Sequence, residues 1–260
     1  MSEPFTEVPA RTPTRFRPVR GLGRTAIGLF SAALVLHLAT LVTDWQIYRI
    51  IDKHAGLDSV PYERYADAYN AYVDDHNSWV LLNNIVAIVG LLAAAAGAIV
   101  FLVWIWKARR NAEYLCAAKH RLPRAFTVAS WMIPLFGVIL APMVLDDIGR
   151  ASSPKTPPRA PKLRANVITA LAVLWIVLQI PAVLSLMLGT IARNNARRLV
   201  DPDVAIAGMA FTGVGLILLT GATVAFMVAI AKIGNWQTMR AATPWYAPAA
   251  AMPGQHAPAR

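Results

Sequence analysis

Few side chains in this sequence sit where they could do chemistry. His37 is the one ionisable group in the apolar run 25–43. An imidazole there is a candidate proton carrier; the plainer reading is a neutral ring hydrogen-bonded to a neighbouring helix. The other apolar runs hold no histidine or carboxylate, so they supply no metal-ligand set. Asp146 and Asp147 close another apolar segment and could bind a cation, or pair with Arg109 and Arg110 in a salt-bridged border. Gln179 and Pro181 stand mid-run, and a proline there frees a backbone carbonyl that could line a path or simply kink a helix. Cys116 is the single cysteine, which excludes a disulfide framework or a multi-cysteine metal site. No HExxH, GxSxG, phosphate-loop or GxGxxG pattern occurs, and no cofactor is implied.

The elements around these residues are membrane-like. Of 260 residues, 57% are apolar and 15% charged, whereas soluble domains sit near about 45–50% and about 25%. The apolar residues fall into five runs: 25–43, 80–106, 125–145, 166–192 and 204–231. Each matches or exceeds the roughly 20 residues that a helix needs to cross a bilayer. The formal charge of +11 would suggest nucleic acid in a soluble protein. Here the basic residues flank apolar runs, so anionic lipid headgroups and orientation explain them and no nucleic acid is called for.

Between the runs, residues 44–79 form the longest polar stretch, with seven of the chain's 14 acids. Pro61 opens a helical pattern in it. Tyr62, Tyr65, Tyr69 and Tyr72 share one helix face, expected to pack on the ends of the spans. Residues 107–124 and 150–164 are basic, the latter proline-rich. Residues 1–20 and 241–260 are read as disordered tails around a single domain, 21–240. A possible internal repeat pairs the FLVWIWK of 101–107 with the FMVAIAK of 226–232.

The segment 125–145 is broken by Pro134 and Pro142. Together with its flanks it carries Trp106, Arg109, Arg110, Asn111, Trp131, Pro134, Pro142, Asp146, Asp147, Arg150, Ala151 and Ser152. This pattern resembles the actinobacterial membrane family known as domain of unknown function 4328. The chain departs from that family in the apolar LFGVILA between the prolines and in Ile148-Gly149 after the acids. The resemblance implies a multi-pass membrane protein and no particular activity.

Threading follows from positive charge. If 125–145 crosses the membrane, the chain has five full spans, with 14 Lys and Arg inside and 11 outside. If it dips in and returns, four full spans remain, with 19 inside and 6 outside. The second fits the positive-inside rule better. The expected fold is therefore an all-α polytopic transmembrane bundle: four full spans plus one proline-broken re-entrant or interfacial segment, with both termini cytoplasmic in the cell membrane. Three functions are weighed. The first is a non-enzymatic scaffold or sensor meeting anionic headgroups or protein partners through its basic loops. The second is a small transporter or channel subunit. The third is an intramembrane enzyme acting on lipid, with His37 or Asp146/Asp147 as base. A polar cavity joining these residues would favour the second or third, and a dry bundle the first.

Overall fold

The structure, a computed structural model, describes residues 16–54, 61–158, 160, 162–199 and 202–243. These residues form six helices and no strand: α1 (Arg20–Lys53), α2 (Tyr62–Leu115), α3 (Phe126–Met132), α4 (Pro134–Ser152), α5 (Val167–Leu199) and α6 (Pro202–Ala241). Four of them, α1, α2, α5 and α6, are long and apolar enough to cross a membrane. The bundle carries a belt of exposed apolar side chains, with Ile99 and Ile139 65% and Ile217 72% exposed. A soluble monomer does not tolerate so much contiguous apolar surface, whereas hydrocarbon does.

The helices outrun the apolar segments. At about 1.5 Å per residue the 54-residue α2 is about 80 Å long, against about 30 Å of hydrocarbon. Much of the stretch 44–79 is thus helix rather than loop: α1 continues to Lys53 and α2 begins at Tyr62. Likewise α2 continues to Leu115 before the basic linker begins. The tyrosine stripe packs only at its near end. Tyr72 is 5% exposed and sits with Ile47 and Ile51, whereas Tyr62 is 94% exposed. Most of the two presumed tails lies outside the described residues. Residues 16–19 do not hang free, because Val19 is buried and the Arg17 backbone is bonded to Asn111.

The core lies toward the end of the bundle where α1 begins and α2 and α6 finish. Phe101, Trp104, Ile105 and Ala108 of α2 meet Phe226, Ala229, Ile230 and Ile233 of α6, with Val144, Leu145 and Ile148 of α4. The two copies of the suspected repeat therefore face each other, with the Phe101 and Phe226 rings 4.8 Å apart. At the opposite end, Asp44 is buried and paired with Arg193, and Asn83 bonds both Thr43 and Asp44. This cluster ties α1, α2 and α5 together, because a buried carboxylate needs a partner.

Close packing of α4 on α5 depends on Gly149. A Cβ there would lie 2.6 Å from both Cβ and Cγ2 of Ile168. A Cβ cannot rotate away, so Gly149→Ala is expected to cost about 3 kcal/mol. Thermal unfolding in detergent checks this; an unchanged midpoint would mean that α4 and α5 can move apart at no cost.

Candidate functional site

The proline-broken segment is built as a helical hairpin. Proline disfavours helical geometry in the residue before it, and Ile133 is extended, with φ −106° and ψ 105°. Pro134 then opens α4, where its missing N–H has no helical partner to lose. Pro142 lies inside α4 without ending it. The break thus falls at Pro134 alone. A Cβ on Gly137 would lie 2.8 Å from the Ser130 carbonyl oxygen, so α3 and α4 touch backbone to side chain position there.

Both arms of the hairpin start and finish at the same end of the bundle. In the linker between α2 and α3, the Arg121 backbone N–H donates to Asp147 Oδ2 at 2.8 Å. Its side chain donates from Nε to Asp147 Oδ1 at 2.7 Å and from Nη2 to Asp146 Oδ2 at 2.6 Å. Arg150 donates from Nε to Asp146 Oδ1 at 2.8 Å, and the Thr169 hydroxyl, in the first turn of α5, donates to the same oxygen at 2.5 Å. Two acids buried to 5% and 1% exposure are thus matched by two arginines. From Asp146 back to Pro134 is twelve residues, about 18 Å of helix, roughly half the thickness of a bilayer's hydrocarbon core. Residues 125–145 thus form two short helices that double back at Pro134, and four helices, not five, are long and apolar enough to span.

The expected partners of Asp146 and Asp147 are corrected. Arg109 instead donates to Glu113 at 3.0 Å and to the Leu122 carbonyl at 2.7 Å, and Arg124 donates to the other Glu113 oxygen at 2.5 Å. Arg110 is half-buried on the same helix. Because α2 stays helical to Leu115, Arg109 faces the returning linker rather than α4, and the linker delivers Arg121 to the acids. His120 is enclosed by this arrangement. Burial, helped by the Arg109 charge, pushes its pKa down from 6.5 to about 4 against the pull of Asp147 and Glu113. Neither of its ring nitrogens has a partner within the protein.

The hairpin tip sits in aromatic packing. The Trp131 ring lies 4.6 Å from Phe101, 5.4 Å from Trp175 and 5.6 Å from Phe226. Beside it, α3, α4 and α5 enclose a cavity of about 200 Å³ lined by Ser130, Trp131, Gly137, Ala141, Trp175 and Gln179, among others. Its lining is almost wholly apolar, and the polar atoms of two lining residues, the Ser130 hydroxyl and the Trp131 indole N–H, are themselves buried. Neither has a partner in the protein. Ile133 and Ile180, both 47% exposed, form its rim on the lipid-facing side. Pro181, inside α5 and next to the cavity, leaves the Val177 carbonyl without its usual helical donor.

Asn111 belongs to a separate polar pin. Its amide donates to the Arg17 carbonyl at 2.7 Å and to Gln237 Oε1 at 3.1 Å. The fully buried Gln237 donates to the Ala108 carbonyl and the Ser152 hydroxyl, each at 2.9 Å. One turn on, buried Arg240 donates to the carbonyls of Leu115 at 2.8 Å and Ser153 at 3.1 Å, and to that of Ala151. A guanidinium there suits the negative ends of α2 and α4. His37 stands apart: its Nδ1 lies 2.7 Å from the Ala33 carbonyl of its own helix, and its ring packs on Gly90. The bond expected to a neighbouring helix is therefore made within α1. The cavity beside Trp131 is not lined by His37, Asp146 or Asp147. Among the described residues no cluster of three His, Cys, Asp or Glu could hold a metal.

The hairpin and its lock fall within residues 74–235, which match the family model described as a domain of unknown function (DUF4328). The chain belongs to the DUF4328 family. No curated protein and no solved structure matches it. The DUF4328 match begins inside α2 and ends inside α6, so it takes in the Trp131 packing, the cavity and the Arg121–Asp147 lock. It leaves out α1, Gln237 and Arg240. Sequence reasoning singled out Asp146, Asp147, Trp131 and Gln179 within the DUF4328 region but missed Arg121 and Thr169. It also missed Gln237 and Arg240, although Phe226, Ile230, Ile233, Gln237 and Arg240 recur every three to four residues on one helix face.

Proposed function

We propose that this is a non-enzymatic membrane sensor, threaded with both termini and its basic linkers in the cytoplasm. The re-entrant hairpin would receive an apolar, membrane-dissolved ligand in the cavity beside Trp131. The carrying observation is continuity: α4 lines the cavity with Gly137 and Ala141 and, less than two turns later, supplies Asp146 and Asp147 to the lock. A chain occupying the cavity would press on α4, and α4 holds the cytoplasmic linker. The almost wholly apolar lining suits the hydrocarbon part of a membrane-dissolved molecule. A lining without any ionisable side chain and acids already matched by arginines favour binding over catalysis. The exposed basic linkers would then present the output to anionic headgroups or to a protein partner.

The protein carries its own reporter. Cys116 is 2% exposed at the start of the linker, with its thiol 3.7 Å from the Pro157 carbonyl. Ala141→Leu, which pushes a side chain into the cavity, is expected to change the rate of Cys116 modification by a thiol reagent about fivefold or more, given the usual size of coupling between sites. Equal rates in Ala141→Leu and the parent protein, reconstituted in the same lipid, would end the sensor reading.

A further inference from the structure

A second cavity, of about 110 Å³, opens between the start of α1 and the end of α6, with Trp104 of α2 as its floor. Its upper wall carries Arg20 and Arg24; its lower wall carries Ile27 and Ile230. Both arginines are exposed, and neither forms an ion pair with a described residue. Trp104 is 0% exposed, and its indole N–H has no acceptor in the protein. Gly23 is packed on that N–H: a Cβ there would sit 3.0 Å from Trp104 Nε1, so only the absence of a side chain keeps the space beside it free. The first turn of α1 holds no acid and its N-cap makes no side-chain bond, so no side chain there offsets the positive end of the helix.

The geometry points to a phosphate site for one anionic phospholipid. Arg20, Arg24 and the Trp104 indole N–H would hold the headgroup phosphate, and an acyl chain would lie along Ile27 and Ile230. A buried indole N–H needs an acceptor. Two unpaired guanidinium groups above it favour a phosphoryl oxygen over a neutral one, because arginine's planar fork matches phosphate. The apolar lower wall and the membrane setting commit the site to a lipid rather than to free phosphate. The site shares no lining residue with the hairpin cavity and does not depend on the sensor reading.

The test uses the full chain purified in detergent and titrated with phosphatidylglycerol or phosphatidylcholine, with bound lipid counted by native mass spectrometry. The parent protein should retain phosphatidylglycerol in preference. Arg20→Gln with Arg24→Gln should cut that retention by about tenfold, the cost of losing one charge-assisted contact or more. Trp104→Phe, which keeps an aromatic ring and removes the N–H, should cut it as well. Lys119→Gln with Lys155→Gln makes the same charge change at exposed positions elsewhere and should leave retention unchanged. If the lysine pair lowers retention as much as the arginine pair, the attraction is diffuse and the site is refuted. Displacement of the lipid by millimolar inorganic phosphate would equally overturn the assignment to a lipid. Should Trp104→Phe fail to fold, the comparison of arginine and lysine pairs decides alone.

Discussion

Replacing Arg121 with glutamine is expected to destabilise the protein by about 3–5 kcal/mol, because it strands buried carboxylate charge without its counter-ion. Asp147 is 1% exposed and accepts two hydrogen bonds from Arg121, one from the backbone and one from the side chain. The opposite deletion should be much milder. In Asp147→Asn, Arg121 keeps Asp146, and its side chain, 41% exposed, can also reach water. An expected loss of about 1 kcal/mol follows for a pair with one exposed member. The double variant Arg121→Gln with Asp147→Asn should be more stable than Arg121→Gln alone, since the stranded charge is gone. Thermal unfolding in detergent ranks all three. Equal losses for the two single variants would show that the acids are hydrated and that the lock is a surface pair.

Acidification should open the same region from a different side. His120 titrates near pH 4 in the folded protein and near 6.5 in an unfolded chain. Between those values the unfolded chain binds the extra proton, so stability falls as pH falls through that window. The contribution is complete above about pH 6.5, and up to about 3 kcal/mol is gone by pH 4. The groups facing the ring are Arg109 and Glu113 of α2 and Asp147 of α4. His120→Leu removes the titration while keeping a neutral side chain of similar bulk. The difference in unfolding midpoint between parent and His120→Leu should therefore change by several degrees between pH 7 and pH 4.5, in favour of the variant at low pH. A constant difference would place His120 in water.

The spans were legible because hydropathy and length act over twenty residues and do not depend on partners. The return of 125–145 was legible through charge: only that threading puts Arg150, Lys155, Arg159, Lys162 and Arg164 on the side of the other basic segments. Pro134 announced the break, and Asp146 and Asp147 announced a lock. Their partner did not announce itself. Arg109 and Arg121 are equally plausible by residue type, and the choice rests on how far α2 stays helical and how the ten residues after it fold back. No periodicity encodes that path. The cavity beside Trp131 was invisible for a related reason. It is a gap between three helices, and Ser130, Ala141 and Gln179 come together only through the hairpin's tilt. The extents of α1 and α2 past the membrane were underread because their polar ends look like loops in composition. In the structure they are continuations of helices already nucleated in the apolar segments, where propagation costs little.

The measurement that bears most directly on this account is labelling of Lys119→Cys, Lys155→Cys and Lys53→Cys with a membrane-impermeant maleimide. All three positions are exposed, and the native Cys116 is buried and adds little background. Sealed vesicles of defined orientation should show Lys119→Cys and Lys155→Cys reacting from the same side, the cytoplasmic one, and Lys53→Cys from the other. Labelling of 119 and 155 from opposite sides would mean that residues 125–145 cross the membrane, and the re-entrant hairpin, its lock and the sensor built on them would all be wrong.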